Sequence, residues 1–209
     1  MDTTGYLQRY SDWDRMNHWA LVILFFCTAL SGLAMFHPSL FFLSTLFGGG
    51  PWTRILHPFG GVLAFVSFGG MYLRLARHNT WDADDRAWLD QAGAMLAGRA
   101  HQMPPVGRYN AGQKILFWWM TVSLLVLLAT GLLFWRPYFA GYFPVGLVRL
   151  ATLVHSLTAV ALVIGIIVHI YAAIWVKGTT RAMTRGLVSE SWAKHHHSRW
   201  YAQMTQQKR

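Results

Sequence analysis

The stretch Leu150–Val176 reads LATLVHSLTAVALVIGIIVHIYAAIWV, 27 residues without a charge, broken only by His155 and His169. A bilayer crossing needs about 20 apolar residues, so this run is long enough to span with some tilt or to protrude. The two histidines stand fourteen residues apart. On an α-helix that spacing rises about 21 Å and falls roughly 40° short of four full turns. Both imidazoles therefore leave nearly the same face, one near each side of a bilayer. Ionisable groups at membrane depth are costly and mark functional positions.

Three further runs are long and apolar enough to cross: about Trp19–Phe36, Leu56–Leu73 and Ile115–Trp135. Only 12% of the 209 residues are charged and 54% are hydrophobic, far from the quarter charged that soluble domains carry. The sequence predicts an all-α integral membrane protein, a four-helix transmembrane bundle forming one domain over residues 1–209. The first run starts late and no small-residue cleavage site follows it, so no removed signal peptide is expected.

The net charge of +10 is not a nucleic-acid signal, because the basic residues are segregated. Fifteen lie before the first span, between spans two and three, or after span four; Arg54, Arg136 and Arg149 lie on the other side. Positive residues stay cytoplasmic, so both termini are expected inside a bacterial inner membrane. The single cysteine, Cys27, excludes an internal disulfide and a four-cysteine iron–sulfur cluster. There is no C-x-x-C-H motif, so any haem would be held non-covalently as a b haem.

Between the spans, Met1–Asn17 reads as a short polar lead. Gly48-Gly49-Gly50-Pro51 is a breaker after the short apolar segment Phe41–Phe47, which is expected at the membrane interface. The loop Asn79–Tyr109 predicts a short surface helix around Asp85–Leu96 and ends at Pro104-Pro105. The tail from Lys177 reads as basic and polar.

Placed by depth, the histidines form two pairs. His18 and His169 fall toward the inner side, His57 and His155 toward the outer. Single membrane histidines are often interfacial or hydrogen-bonded residues. Two depth-matched pairs, with span four contributing to both, point instead to two bis-histidine haems, with four axial ligands to iron. Gly60, Gly61, Ser67, Gly69 and Gly70 leave room for a flat macrocycle, and equally suit close helix packing. His195-His196-His197 reads as a solvated or partner-contacting patch, and His37, His78 and His101 as loop or span-end residues.

Span three opens with Tyr109-Asn110-Ala111-Gly112-Gln113-Lys114, level with the inner pair. Asn110 and Gln113 offer amide donors suited to quinone carbonyls, and Gly112 lets a flat ring approach the backbone. Asn followed three residues later by Gln also reads as a capping box. The two readings are compatible. None of the eight acids lies within a span, which argues against a proton-coupled transporter.

Arg15-Met16-Asn17-His18-Trp19, Ser31–Met35, LFGGGPWTRILHPF (Leu46–Phe59), YNAGQK (Tyr109–Lys114) and VHIYAAIWVKG (Val168–Gly178) together resemble the gamma, or cytochrome b, subunits of membrane-bound respiratory formate dehydrogenases, over nearly the full length. The resemblance implies two haem b groups, the inner on His18 and His169, the outer on His57 and His155. It implies a quinone pocket, for menaquinone or ubiquinone, at Asn110, Gly112 and Gln113. It also implies an iron–sulfur beta subunit, a molybdenum- or tungsten-containing alpha subunit that oxidises formate, and assembly as a trimer of heterotrimers. The related cytochrome b subunits of nickel–iron hydrogenases share the dihaem plan; the unbroken Leu46–Phe59 and Tyr109–Lys114 runs favour formate dehydrogenase.

Overall fold

A computed structural model describes residues 5–93 and 104–206. Four long helices dominate it: α1 (Asp12–Phe36), α2 (Gly50–Leu75), α4 (Ala111–Leu133) and α5 (Val145–Trp175), with the short α3 (Ala83–Asp90) between α2 and α4. These four are long and apolar enough to cross a membrane. The 31 residues of α5 give a rod of about 46 Å. Only 6% of its most apolar stretch is buried by protein. Large apolar side chains such as Ile23, Val66, Leu157 and Ile167 stand exposed along the four helices. A helix apolar all round that is not covered by protein is suited to lipid.

The helices begin earlier than the apolar runs suggested, because their first turns carry polar or small residues. α1 starts at Asp12, where Ser11 bonds reciprocally with Asp14: Ser11 N donates to Asp14 Oδ2 (3.1 Å) and Asp14 N to Ser11 Oγ (3.2 Å). α2 starts at Gly50 with Pro51 in its first turn, where the missing N–H costs nothing. The breaker thus ends one element and opens the next. A 3₁₀ helix (Pro38–Phe47) closes on Gly48 and Gly49, at φ +85° and +93°, a left-handed pair that side chains resist.

The described residues divide into two compact units. Unit two holds 16–72 and 119–168; unit one holds residues up to 15, 73–118 and 169 onward. Unit two is made from most of the four long helices. Within it α1 is clamped to α2 beside His18: Asn17 Nδ2 donates to Ser67 O and Ser67 Oγ to Asn17 Oδ1, both at 2.8 Å. A Cβ on Gly70 would lie 3.4 Å from Asn17 Nδ2, and on Gly60 or Gly61 3.7 Å from Thr28. These glycines therefore serve close packing of α1 on α2.

Unit one is where the polar ends of the chain fold together. The lead and the tail are not loose segments. Tyr6–Gln8 (β1) pairs antiparallel with Leu187–Ser189 (β2), in the register Tyr6↔Ser189, Leu7↔Val188, Gln8↔Leu187. Three short helices complete the tail: α6 (Thr180–Arg185), α7 (Glu190–His196) and α8 (Ser198–Gln206). Leu7, Val188, Trp192, Ala193 and Trp200 form the core between them. Gly186 takes φ +77° because a Cβ there would sit 2.8 Å from the carbonyl oxygen of Tyr10. That close approach lets Gly186 O accept from both Arg9 N and Tyr10 N.

Two expectations change here. The all-α bundle carries this small two-stranded sheet, built from segments too short and too polar to show strand alternation. The triple-histidine patch also splits: His195 is exposed, His196 is half-buried, and His197 is 2% exposed. His197 Nδ1 bonds Gly107 O at 2.8 Å and its ring packs on Trp192. Burial, then the nearby charge of Arg9, pushes its pKa down to about 3. His197 is a core residue, not a solvated one. The predicted surface helix is present as Ala83–Asp90, and its expected end at Leu96 lies outside the described residues, as does His101.

Candidate haem and quinone sites

His57 on α2 and His155 on α5 meet within unit two. Their ring centroids are 6.3 Å apart, with 68° between the ring planes. Two imidazoles holding one metal from opposite sides, with nitrogen–metal distances of about 2.0 Å, put their centroids about 6 Å apart. The observed separation matches one shared atom, and it equally matches an edge-to-face ring contact, whose centroids lie about 4.5–7 Å apart.

The hydrogen bonds set the tautomer of each ring. His57 Nδ1 lies 3.1 Å from Thr28 O and 3.0 Å from Ser31 Oγ. A carbonyl oxygen can only accept, and Ser31 Oγ already donates its proton to Thr28 O (3.0 Å). His57 Nδ1 is therefore the protonated nitrogen. On the other side, His155 Nδ1 lies 3.0 Å from Thr130 Oγ1, whose proton goes to Val126 O at 2.6 Å. With the Thr130 proton given to Val126 O, His155 Nδ1 is left to donate to Thr130 Oγ1. Each ring is left with a lone pair on Nε2, the form that binds a metal, and the partner at Nδ1 fixes its orientation.

Each ring also lies against a glycine of the helix before it. A Cβ on Gly32 would come within 3.1 Å of His57 Cε1, and one on Gly131 within 3.3 Å of His155 Cε1. Ser31-Gly32 and Thr130-Gly131 thus perform the same two tasks, one hydroxyl anchor and one gap for the ring. The hydroxyls precede their histidines by 26 and 25 residues. In the sequence, Ser31-Gly32 stands out only within the Ser31–Met35 motif, and Thr130-Gly131 lies in an apolar run without a motif. The repeated pair's near-equal spacing to a later histidine is the signal that would have found it. These residues fit a bis-histidine haem: a chain with a protonated Nδ1 on both rings, room cleared by two glycines, and a gap of the right size.

The other two histidines lie in different units. His18 stands on α1 in unit two, next to the Asn17–Ser67 clamp; His169 is half-buried on α5 in unit one. Above His169 on the same helix, Gly165 admits the indole of Trp119, whose Nε1 would be 2.8 Å from a Cβ there. The structure brings together the outer pair within one unit; the inner pairing rests on depth in the sequence.

In unit one, Asn110 and Gln113 form a complete capping box on α4. Asn110 N donates to Gln113 Oε1 (3.0 Å) and Gln113 N to Asn110 Oδ1 (2.9 Å). The box uses the carbonyl oxygen of each side chain. It orients both amides and leaves Asn110 Nδ2 and Gln113 Nε2 outside the box as donors. A flat ring does approach Gly112, but it is the indole of Trp88, 3.2 Å from where a Cβ would be. Beneath the box Lys114, 5% exposed, bonds Asp85, 4% exposed, at 2.7 Å. Asp85 also accepts from Asp82 N at 2.7 Å, closing a second capping box on α3. Removing one partner of such a buried pair leaves an uncompensated charge, so the Lys114–Asp85 bond ties α3 to the start of α4.

The profile of the prokaryotic cytochrome b561 family matches residues 9–186. The chain belongs to that family. Among its relatives, the cytochrome b556(Fdn) subunit of the nitrate-inducible formate dehydrogenase of Escherichia coli is 46% identical over 191 residues, covering 91% of this chain and 88% of the relative. The cytochrome b556(fdo) subunit of formate dehydrogenase from the same organism is 43% identical, over 94% and 92%. The formate dehydrogenase cytochrome b556 subunit of Haemophilus influenzae is 42% identical, over 90% and 79%. The resemblance read from the sequence motifs therefore holds for this cytochrome b561 chain across most of its length.

Proposed function

We propose that this chain is the dihaem cytochrome b subunit of a membrane-bound formate dehydrogenase, an electron-transfer subunit that delivers electrons to quinone. The observation that carries the reading is the His57–His155 pair, with both Nδ1 protons committed and a gap of 6.3 Å between ring centroids. The names of the relatives favour formate dehydrogenase over the nickel–iron hydrogenase alternative. Both haems belong to one domain, residues 1–209.

His57 and His155 hold the outer haem iron, and His18 and His169 the inner one. When bound, each haem b supplies a one-electron carrier. The Thr28 carbonyl and the Ser31 and Thr130 hydroxyls hold the outer ligands in their metal-binding tautomer. Fourteen residues of α5 set the two ligand levels about 21 Å apart.

At the inner face, the Asn110 and Gln113 amides donate to a quinone carbonyl. The capping box holds them there, and Gly112 contributes by seating Trp88 behind it. The basic residues favour both termini in the cytoplasm of a bacterial inner membrane, so quinone is reduced on the cytoplasmic side. The implied partners are an iron–sulfur beta subunit and a catalytic alpha subunit carrying molybdenum or tungsten, in a trimer of heterotrimers.

Replacing single ligands tests the haem assignment. His57→Ala or His155→Ala is expected to remove the outer haem, and His18→Ala or His169→Ala the inner, each taking the haem-to-chain ratio from two to one. Ratios near two in all four variants would refute it. Orientation is read separately: a reporter fused after Arg209 that is active only in the cytoplasm is expected to be active, and a periplasmic score would reverse the two faces.

Gln113→Leu separates the two roles of the capping box. Loss of a cap costs about 0.5–2 kcal/mol of stability, and a lost hydrogen bond to the quinone about 1 kcal/mol, or severalfold in rate. Quinol formation is expected to fall severalfold in protein that retains both haems. A variant that loses stability but reduces quinone at the normal rate per haem would leave only the structural role.

A further inference from the structure

Unit one contains a cavity of about 430 Å³ that the electron-transfer reading does not use. Lys177 and Gly178 border it just after α5, Arg181 from α6, Ser189 at the end of β2, and Ser191, Trp192, His195 and His196 from α7. Among the described residues no carboxylate lines it. Glu190 falls between the two lining serines in sequence but is not part of the wall. Neither Lys177 nor Arg181 takes part in an ion pair among the described residues. Two cations therefore share one concavity with no anion among the described residues to offset them.

The polar groups inside are also short of acceptors. Arg181 lays its guanidinium over the ring of Tyr6, 4.2 Å from the centroid, which fixes its plane. Its Nε is nevertheless buried with no hydrogen-bond partner. Trp192 is 9% exposed, and its Nε1 is buried and equally unpartnered. Gly178 brings the chain close to that indole edge: a Cβ would lie 3.1 Å from Trp192 Cδ1. Buried N–H groups in native proteins nearly always find an acceptor, so two orphans mark an unusually donor-rich layer behind the cavity wall. Donors without acceptors, beside uncompensated positive charge, call for an anion with several oxygens.

The position narrows the chemistry. Lys177 is the second residue after Trp175, the last of the apolar helix α5. Lys177, the first charge after the uncharged run that ends at Val176, lines the cavity, which favours a ligand at the level of lipid phosphates. Arginine matches phosphate oxygens through its planar fork, and lysine adds a point charge.

We propose that this cavity is a phosphate-binding site, filled by the phosphodiester of an anionic lipid or by free phosphate, with Arg181 and Lys177 as its charged ligands. His195 and His196 line the same cavity.

The test uses the full chain purified with its haem in detergent and stripped of lipid. Binding is read by native mass spectrometry and by the thermal midpoint of tryptophan fluorescence. The probes are phosphatidylglycerol, zwitterionic phosphatidylcholine and inorganic phosphate. Phosphatidylglycerol is expected to bind about tenfold or more tightly than phosphatidylcholine, and Lys177→Gln with Arg181→Gln to erase the difference. Inorganic phosphate that raises the midpoint as far as phosphatidylglycerol does, and loses that effect in the double variant, would support the site and identify a soluble ligand. Ser191→Glu, which adds a carboxylate at the wall and leaves both cations, is a second variant should the first not fold, and is expected to weaken the same probes. Equal binding of both lipids with no response to phosphate would overturn the proposal, as would variants indistinguishable from the parent protein.

Discussion

The interaction on which the arrangement turns is the hydrogen bond from each outer imidazole to an oxygen of the preceding helix. A neutral histidine has one proton, and its position decides which nitrogen can bind metal. Thr28 and Ser31 hold that proton at Nδ1 of His57; Thr130 holds it at Nδ1 of His155. The two hydroxyls are themselves oriented by bonds to backbone carbonyls of their own helices. Helix geometry thus passes directly into the protonation pattern of the site. Supporting groups of this kind cost about 10–100-fold in metal affinity when lost.

Glycine contributes as much as the hydroxyls. Gly32 and Gly131 sit one residue after the anchoring Ser31 and Thr130, and each clears space for a histidine ring from the next helix. The chain therefore uses one device twice, on α1 against α2 and on α4 against α5. In unit one the same economy is visible in other chemistry. The N-terminal lead, the loop before α4 and the tail meet around Arg9, which is 3% exposed and lies over the rings of Trp200, Tyr109, Trp192 and Tyr10. Arg108 Nη2 donates to Arg9 O at 2.8 Å, and Arg9 Nη2 returns a bond to Arg108 O. Burial lowers the pKa of Arg9 and raises that of Tyr10.

Much of this could be read from the sequence, and the reason is depth. Hydropathy marks the four spans, and a histidine within a span has a definable level, so His57 and His155 could be paired before any coordinates. Span ends were harder. Gly50, Pro51 and Val145 begin helices whose first turns are too polar or too short of apolar residues to register as spanning. The β1–β2 pairing was invisible because three-residue strands carry no period, and the central partners, Leu7↔Val188, are 181 residues apart in the chain. His197 was misread for a related reason: three consecutive histidines suggest solvent, while burial is decided by Trp192 and Trp200 folding around the last of them. The capping box was legible as a pattern, but only the geometry shows that its oxygens are spent and its amide donors are not.

Low-temperature electron paramagnetic resonance of the oxidised, haem-loaded full chain, with haem counted on the same sample, addresses the paired-histidine ligation most directly. Two low-spin ferric haems per chain, both with bis-imidazole signatures, is the expected result. One haem per chain, or a high-spin signal showing that a paired histidine is not bound to iron, would contradict it.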